Sequence, residues 1–282
     1  MRRGGRRLSS TSIAVSAPRR AFWLSGVLAV MLPAYLVTST AKADSIAVGI
    51  PFRGTAAVGA LFDVSDGNLG PHFCTASVIA SPAGNLLVTA AHCMAGQTVG
   101  PTGSVVFAPG YHNGDFPYGT WPVTAEYVDQ QWQQNQNPND DVAFLTAGPP
   151  GSDLQSLTGA ETLMVHQPPQ TVQVIGYPDG GTEPITCTAP ASSFGGTSQF
   201  VFDCDDYTNG TSGGPFLTNV SPASGDGWLI GLIGGYQQGG DSPDVSYSPR
   251  FSAAVQSLYQ TTVSAAVQSL YQTTASTVAG PG

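Results

Sequence analysis

Three short strings hold most of the residues in this chain that could do chemistry. Asn209-Gly210-Thr211-Ser212-Gly213-Gly214, followed by Pro215, sets one serine among glycines. That is what a nucleophile needs: the hydroxyl stays uncrowded, and glycine lets backbone N–H groups turn toward a developing oxyanion. Upstream, Val88-Thr89-Ala90-Ala91-His92-Cys93 offers an imidazole. Between the two, Asn139-Asp140-Asp141-Val142-Ala143-Phe144-Leu145 offers carboxylates. A nucleophile, a base and an acid that orients the base are the parts of nucleophilic acyl transfer.

Short strands must position those parts. Gly 35 and Pro 22 together make about one residue in five, so turns are frequent. Apolar runs at 56–62, 77–80, 86–90, 104–107, 142–145, 171–175, 199–202 and 228–233 are bounded by Gly, Pro or Asp. The pattern is all-β. The roughly 239 residues after position 43 can bury a sizeable core, as one large domain or two small ones.

Residues 1–43 read as a leader. Arg2, Arg3, Arg6, Arg7, Arg19 and Arg20 form a basic head, residues 21–37 an apolar run, and Ala41-Lys42-Ala43 an A-x-A cleavage pattern. The expected product starts at Asp44 and is secreted, with no stable membrane association. Arg19-Arg20-Ala21-Phe22-Trp23 is similar to a twin-arginine signal. Beyond Ala43 only Arg53 and Arg250 remain basic against all 18 acids, a formal charge of −16. No basic surface is left to release counterions, so nucleic acid is excluded as a partner.

Along the chain the order is His92, Asp141, Ser212. Gly210-Thr211-Ser212-Gly213-Gly214 also fits the nucleophile elbow of α/β-hydrolases, but that fold needs a histidine after its serine. The last histidine here is His166. Subtilisins need the acid before the histidine and a helical scaffold. On Thr89-Ala90-Ala91-His92-Cys93, Asp141-Val142-Ala143-Phe144-Leu145 and Gly210-Thr211-Ser212-Gly213-Gly214-Pro215, the chain resembles the chymotrypsin-like (trypsin-like) serine peptidases. The likeness covers residues 55 to 262 and fits the secreted bacterial branch.

The resemblance implies two antiparallel β-barrels with the cleft between them and a C-terminal helix. The expected division is a pro-segment at 44–54, a first barrel at 55–150, a second at 151–250, and a helix with a duplicated tail at 251–282. It implies Ser212 as nucleophile, His92 as base, Asp141 as orienting acid, and the N–H groups of Gly210 and Ser212 as oxyanion hole. Asp140 becomes a turn residue, and His72, His112 and His166 become non-catalytic. The expected activity is serine endopeptidase, acting as a monomer on peptides or proteins; the alternative is an inactive protease-like binding protein.

Four cysteines allow three pairings, of which the resemblance implies Cys74–Cys93 and Cys187–Cys204. A zinc site from His72, Cys74, His92 and Cys93 matches no common ligand spacing, so no metal and no cofactor is expected. Where many animal relatives carry an aspartate before the serine, this chain has Thr211, which implies activation without an N-terminal ion pair. Asp206, six residues before Ser212, holds the place of the aspartate that binds Lys or Arg at P1. Thr208 replaces the usual cysteine and Asp205 is adjacent, so a small or non-basic P1 preference stays open. The opposite pocket wall is expected from Gly234, Gly235 and Tyr236.

Finally, residues 252–262 recur letter for letter at 264–274. Phe251, Val255, Leu258, Tyr259 and Thr262 share one helical face. A 12-residue offset turns an equivalent residue by about 120° on an α-helix. One copy is therefore expected to dock and the other to be dispensable.

Overall fold

Frequent turns and short apolar runs resolve into strands joined by tight connections. The structure is a computed structural model that describes residues 46–100 and 103–278. The expected leader at 1–43 lies outside the described residues.

Two short strands, β1 (Ala47–Val48) and β2 (Ile50–Pro51), come first. The first barrel consists of β3 (Val58–Ser65), β4 (Asn68–Ile79), β5 (Leu86–Thr89), β6 (Val105–Pro109), β7 (Trp121–Val128) and β8 (Ala143–Ala147). It closes in the order β3-β4-β5-β8-β7-β6. Asp66 and Gly67, at φ 52° and 76°, make the two-residue β3–β4 turn, a conformation that Asp-Gly favours. Helix α1 (Ala91–Met94) follows β5, α2 (Gln130–Asn135) follows β7, and α3 (Leu154–Thr158) follows the linker after β8.

The second sheet adds β9 (Thr162–Leu163), β10 (Gln170–Gly176), β11 (Ile185–Ser193), β12 (Gln199–Asp205), β13 (Pro215–Thr218), β14 (Trp228–Leu232) and β15 (Val245–Pro249). Its order is β1-β12-β11-β10-β13-β14-β9, with β15 paired to β12 and β2 to β11. Leu232 N–H donates to Ser248 Oγ (2.9 Å) and Gly234 N–H to Tyr247 O (3.0 Å). These bonds lean β14 on β15, so the sheet curls round although no strand ladder closes it among the described residues.

Alternation within strands divides the core. Val174, Phe216 and Ile230 pack inside the second sheet with Val172, Phe200 and Phe202. Their neighbours Ile175, Leu217 and Leu229 point the other way and join Leu61, Val78, Leu87, Phe107 and Phe144 of the first barrel. Both expected disulfides form: Cys74–Cys93 ties β4 to α1, and Cys187–Cys204 ties β11 to β12. Loops of this length are worth about 3 kcal/mol each in the chain-entropy account.

Within the expected pro-segment, residues 46–51 form β1 and β2, which pair with β12 and β11 of the second sheet. One expectation is modified. The duplicated tail is one helix, α4 (Ala253–Val278), and both copies pack. Val255 and Thr262 of the first copy are buried, and so is Ala266 of the second. The 120° offset is absorbed by using different residues: Ala254 is exposed where its copy Ala266 is buried, and Tyr259 is half-buried where its copy Tyr271 is 72% exposed. Tyr259 OH also donates to Ala80 O of the first barrel (2.7 Å).

The two copies of one alanine should therefore respond differently. Ala254→Asp should change stability by less than about 0.5 kcal/mol, whereas Ala266→Asp, burying an unpaired charge, should cost about 2 kcal/mol or more. Urea unfolding of both variants checks this. Equal effects would contradict docking of the second copy.

Candidate active site

The site begins with a carboxylate that has no access to water. Asp141 is 0% exposed, at the junction between a short 3-10 turn (Pro138–Asp140) and β8. Three N–H groups satisfy it. His92 N–H donates to Oδ1 (2.8 Å), His92 Nδ1 to Oδ2 (2.8 Å), and Gly235 N–H to Oδ2 (2.7 Å). The first of these donors is an otherwise orphaned amide in the first turn of α1, whose N-cap Ala90 has no side chain to offer. Asp140 turns aside and accepts from Asn137 Nδ2 (2.6 Å), as a turn residue should.

The loop carrying Ser212 is pinned to the first barrel by Thr75. Its N–H donates to Ser212 O (2.8 Å) and its hydroxyl to Gly210 O (3.0 Å), while that hydroxyl accepts from Tyr177 N–H (2.9 Å). This close approach explains two of the glycines. A Cβ on Gly213 (φ 81°) would collide with Thr75 O and Thr89 Oγ1, and one on Gly210 (φ 86°) would sit 2.5 Å from Tyr177 O. Thr211 is buried and donates to Thr208 O (2.7 Å), which holds the loop without any terminal amine.

Ser212 and His92 line one cavity of about 760 Å³. His92 Nε2 lies 3.9 Å from Cys93 Sγ, and no hydrogen bond joins it to Ser212 among the described residues. Gly210 lines it too, and neither Gly210 N–H nor Ser212 N–H donates to a protein acceptor among the described residues. Gln199 buttresses the site from the second sheet. Its amide donates to Pro138 O (3.0 Å) and Asn139 Oδ1 (2.8 Å), and its carbonyl accepts from Tyr236 N–H (3.2 Å).

The expected specificity residues lie elsewhere than the motif spacing placed them. Asp206 has a left-handed backbone (φ 75°), is exposed and does not line the cavity; Tyr207 and Thr208 do. Gly234, Gly235 and Tyr236 do not line it either. Their three N–H groups are spent internally on Tyr247 O, Asp141 Oδ2 and Gln199 Oε1, so none of the three is left to donate to a substrate. The opposite wall is Ile233 and the stretch from Gln237 to Pro243. Tyr207 is a fixed surface: burial pushes its phenol upward, and the hydroxyl donates to Val174 O (2.8 Å).

The other histidines have structural partners. His72 is buried with Nε2 against Gly181 O (2.9 Å), and His112 Nε2 pairs with Glu183 (3.2 Å). His166 sits at φ 57° and its N–H donates to Phe251 O (2.8 Å). Cys74, His92 and Cys93 lie close enough to share a metal, but both sulfurs are consumed in a disulfide and neither is a thiolate. The site residues therefore do not fit a catalytic metal.

A model of the trypsin-like peptidase domain matches residues 74–221, just over half of the chain and all three motifs. The chain belongs to the trypsin-like peptidases. It is a serine peptidase, a hydrolase whose substrates are peptides or proteins. The peptidase is similar to protease Anisep from Arthrobacter nicotinovorans, at 25% identity and TM-score 0.63 over 77% of this chain and 100% of that one. Serine protease AL20, from an extremophilic microorganism, is similar at 25% identity and TM-score 0.62, covering 74% and 98%. An extracellular metalloprotease of Bacillus subtilis (strain 168) is 29% identical over 111 residues, 39% of this chain and 34% of that protein. The match thus spans about a third of that relative.

Thr75 is the residue the motifs did not reveal, and its hydroxyl offers a direct test. Thr75→Val leaves Gly210 O and Tyr177 N–H buried without that partner, so stability should fall by about 2–3 kcal/mol. Equilibrium unfolding measures it. A change below about 0.5 kcal/mol, the range of an ordinary surface substitution, would contradict the pinning role.

Proposed function

We propose that Ser212, His92 and Asp141 form the catalytic triad of a secreted endopeptidase. The observation that carries this is the two-point hold of buried Asp141 on His92, which spends Nδ1 and leaves Nε2 for the cavity that Ser212 lines. Ser212 Oγ attacks the scissile carbonyl while Nε2 takes its proton, and Asp141 stabilises the imidazolium. Nε2 then protonates the leaving amine, and water hydrolyses the acyl-enzyme by the same steps. The uncommitted N–H groups of Gly210 and Ser212 receive the oxyanion, each such donor being worth about 3 kcal/mol to the transition state. Substrate binding draws Ser212 Oγ to Nε2, since catalytic hydrogen bonds tighten in the Michaelis complex.

At P1 the cavity favours uncharged side chains over Lys and Arg. Asp206 stays outside, and Tyr207, Ile233 and Pro243 stand in the lining; its two carboxylates are Asp179, beside Gly210, and Asp241. Asp241, a carboxylate of the lining, is exposed and accepts from Gln237 Nε2. Secretion is supported by the basic, apolar and A-x-A sections of residues 1–43 and by two disulfides. Among the described residues no helix is long and apolar enough to cross a membrane. Thr211, bonded within its own loop, supports activation without an N-terminal ion pair.

The test is a diverse peptide library, with cleavage sites mapped by mass spectrometry against Ser212→Ala. Wild type should cleave after uncharged residues and Ser212→Ala should not. Asp141→Asn should lower kcat by about 10⁴-fold by spoiling the tautomer, and Asp206→Asn should leave P1 preference unchanged. Cleavage by Ser212→Ala at the wild-type rate would contradict the triad. A clear Lys or Arg preference lost in Asp206→Asn would contradict the P1 reading.

A further inference from the structure

Far from the motifs, four buried oxygens border one tripeptide, Gly225-Asp226-Gly227. Thr55 Oγ1, Glu161 Oε1, Thr218 Oγ1 and Asp226 Oδ1 find no hydrogen-bond partner among the described residues. Asp226 is its middle residue, and the other three residues each touch it. A Cβ on Gly225 would lie 2.6 Å from the Thr55 methyl, Gly227 N–H donates to Glu161 Oε2 (2.5 Å), and the Gly227 Cβ position is 2.9 Å from Thr218 O. Across the gap, Gly159 brings its backbone against the Asp226 carboxylate, its Cβ position 2.5 Å from Oδ2 and 2.9 Å from Oδ1.

Glu161 is 0% exposed, and its main chain is held on both sides by the first barrel, through Val78 O and Ala80 N–H (2.9 Å each). Burial pushes its carboxyl up to about 8; the Gly227 bond lowers it and Asp226 raises it further. Asp226 is near enough for its charge to act on Glu161. Such a carboxylate pair ordinarily needs a cation, and this chain has almost none to give. Beyond residue 43 only Arg53 and Arg250 are basic. Arg53 is exposed, while Arg250 donates to Gln167 O (3.0 Å) and lies over the Phe200 ring.

We propose that Glu161 and Asp226, with Thr55 Oγ1 beside them, bind one calcium ion that joins the first barrel to the second sheet. Calcium accepts mixed carboxylate, hydroxyl and carbonyl oxygens in flexible geometry, whereas magnesium demands a near-ideal octahedron and keeps its waters. The ion's role is stabilising, since none of these residues lines the cavity of Ser212 and His92. The inference does not depend on the proposed triad.

The test uses the full chain stripped with EDTA. Saturating calcium should raise Tm by about 5–10 °C in wild type and by much less in Glu161→Gln and in Asp226→Asn. Terbium should bind wild type with one site, its luminescence sensitised by the neighbouring Trp228 and quenched by competing calcium. Should one variant fail to fold, the other still carries the comparison, and terbium reports on wild type alone. No calcium shift in wild type, or an equal shift in both variants, overturns the proposal. A stability gain in Glu161→Gln without any calcium response also overturns it, because the occupant would then be a proton.

Discussion

A carboxylate sealed from water must be given donors, and the three given to Asp141 determine how the parts of this peptidase meet. Two come from His92, at the start of α1, and the third from Gly235, beyond the end of β14. One side chain thus fixes the imidazole in position and tautomer and also fastens the first barrel to the second sheet. Leaving a buried charged group short of a donor costs about 1–3 kcal/mol or more. The same geometry that holds the imidazole therefore resists any drift of one half against the other. Gln199 reinforces it by spanning the turn before Asp141 and the 3-10 turn that opens at Tyr236, just after Gly235.

Ser212 depends on the same junction from the other side. Thr75 reaches the loop through both its amide and its hydroxyl, and the approach is close enough that side chains at Gly210 or Gly213 would clash with main chain. Ser212 is carried by the second sheet, and its loop is held by the first barrel. Position and chemistry are coupled here by backbone geometry, which is why the glycines recur where the chain must pass another backbone. Thr211 serves that loop through a local bond, so a threonine can stand where other members hold an ion pair.

The family was legible in the strings around His92, Asp141 and Ser212, because each concentrates unusual residues over a few positions and their chain order excludes rival folds. The all-β class followed from turn residues and short apolar runs. Strands β7, β11 and β15 were not seen, since Trp-Pro-Val-Thr-Ala-Glu-Tyr-Val, Ile-Thr-Cys-Thr-Ala-Pro-Ala-Ser-Ser and Val-Ser-Tyr-Ser-Pro mix small and polar residues on half-buried strands. Thr75 and Gln199 gave no signal, as a lone polar residue in a strand looks the same whether it bonds a distant loop or water. Asp206 stands outside the cavity lining, since spacing from a serine says nothing about a left-handed backbone at the position itself. The repeat misled for the converse reason: identical letters at a 12-residue offset meet different surroundings on one continuous helix.

The most direct measurement is the rate and position of fluorophosphonate labelling, followed by mass spectrometry on wild type, Asp141→Asn and His92→Ala. If Asp141 orients His92 to activate Ser212, wild type should take one label at Ser212, and both variants should label orders of magnitude more slowly while remaining folded. Labelling at another residue, or equal rates in all three folded proteins, would contradict the account.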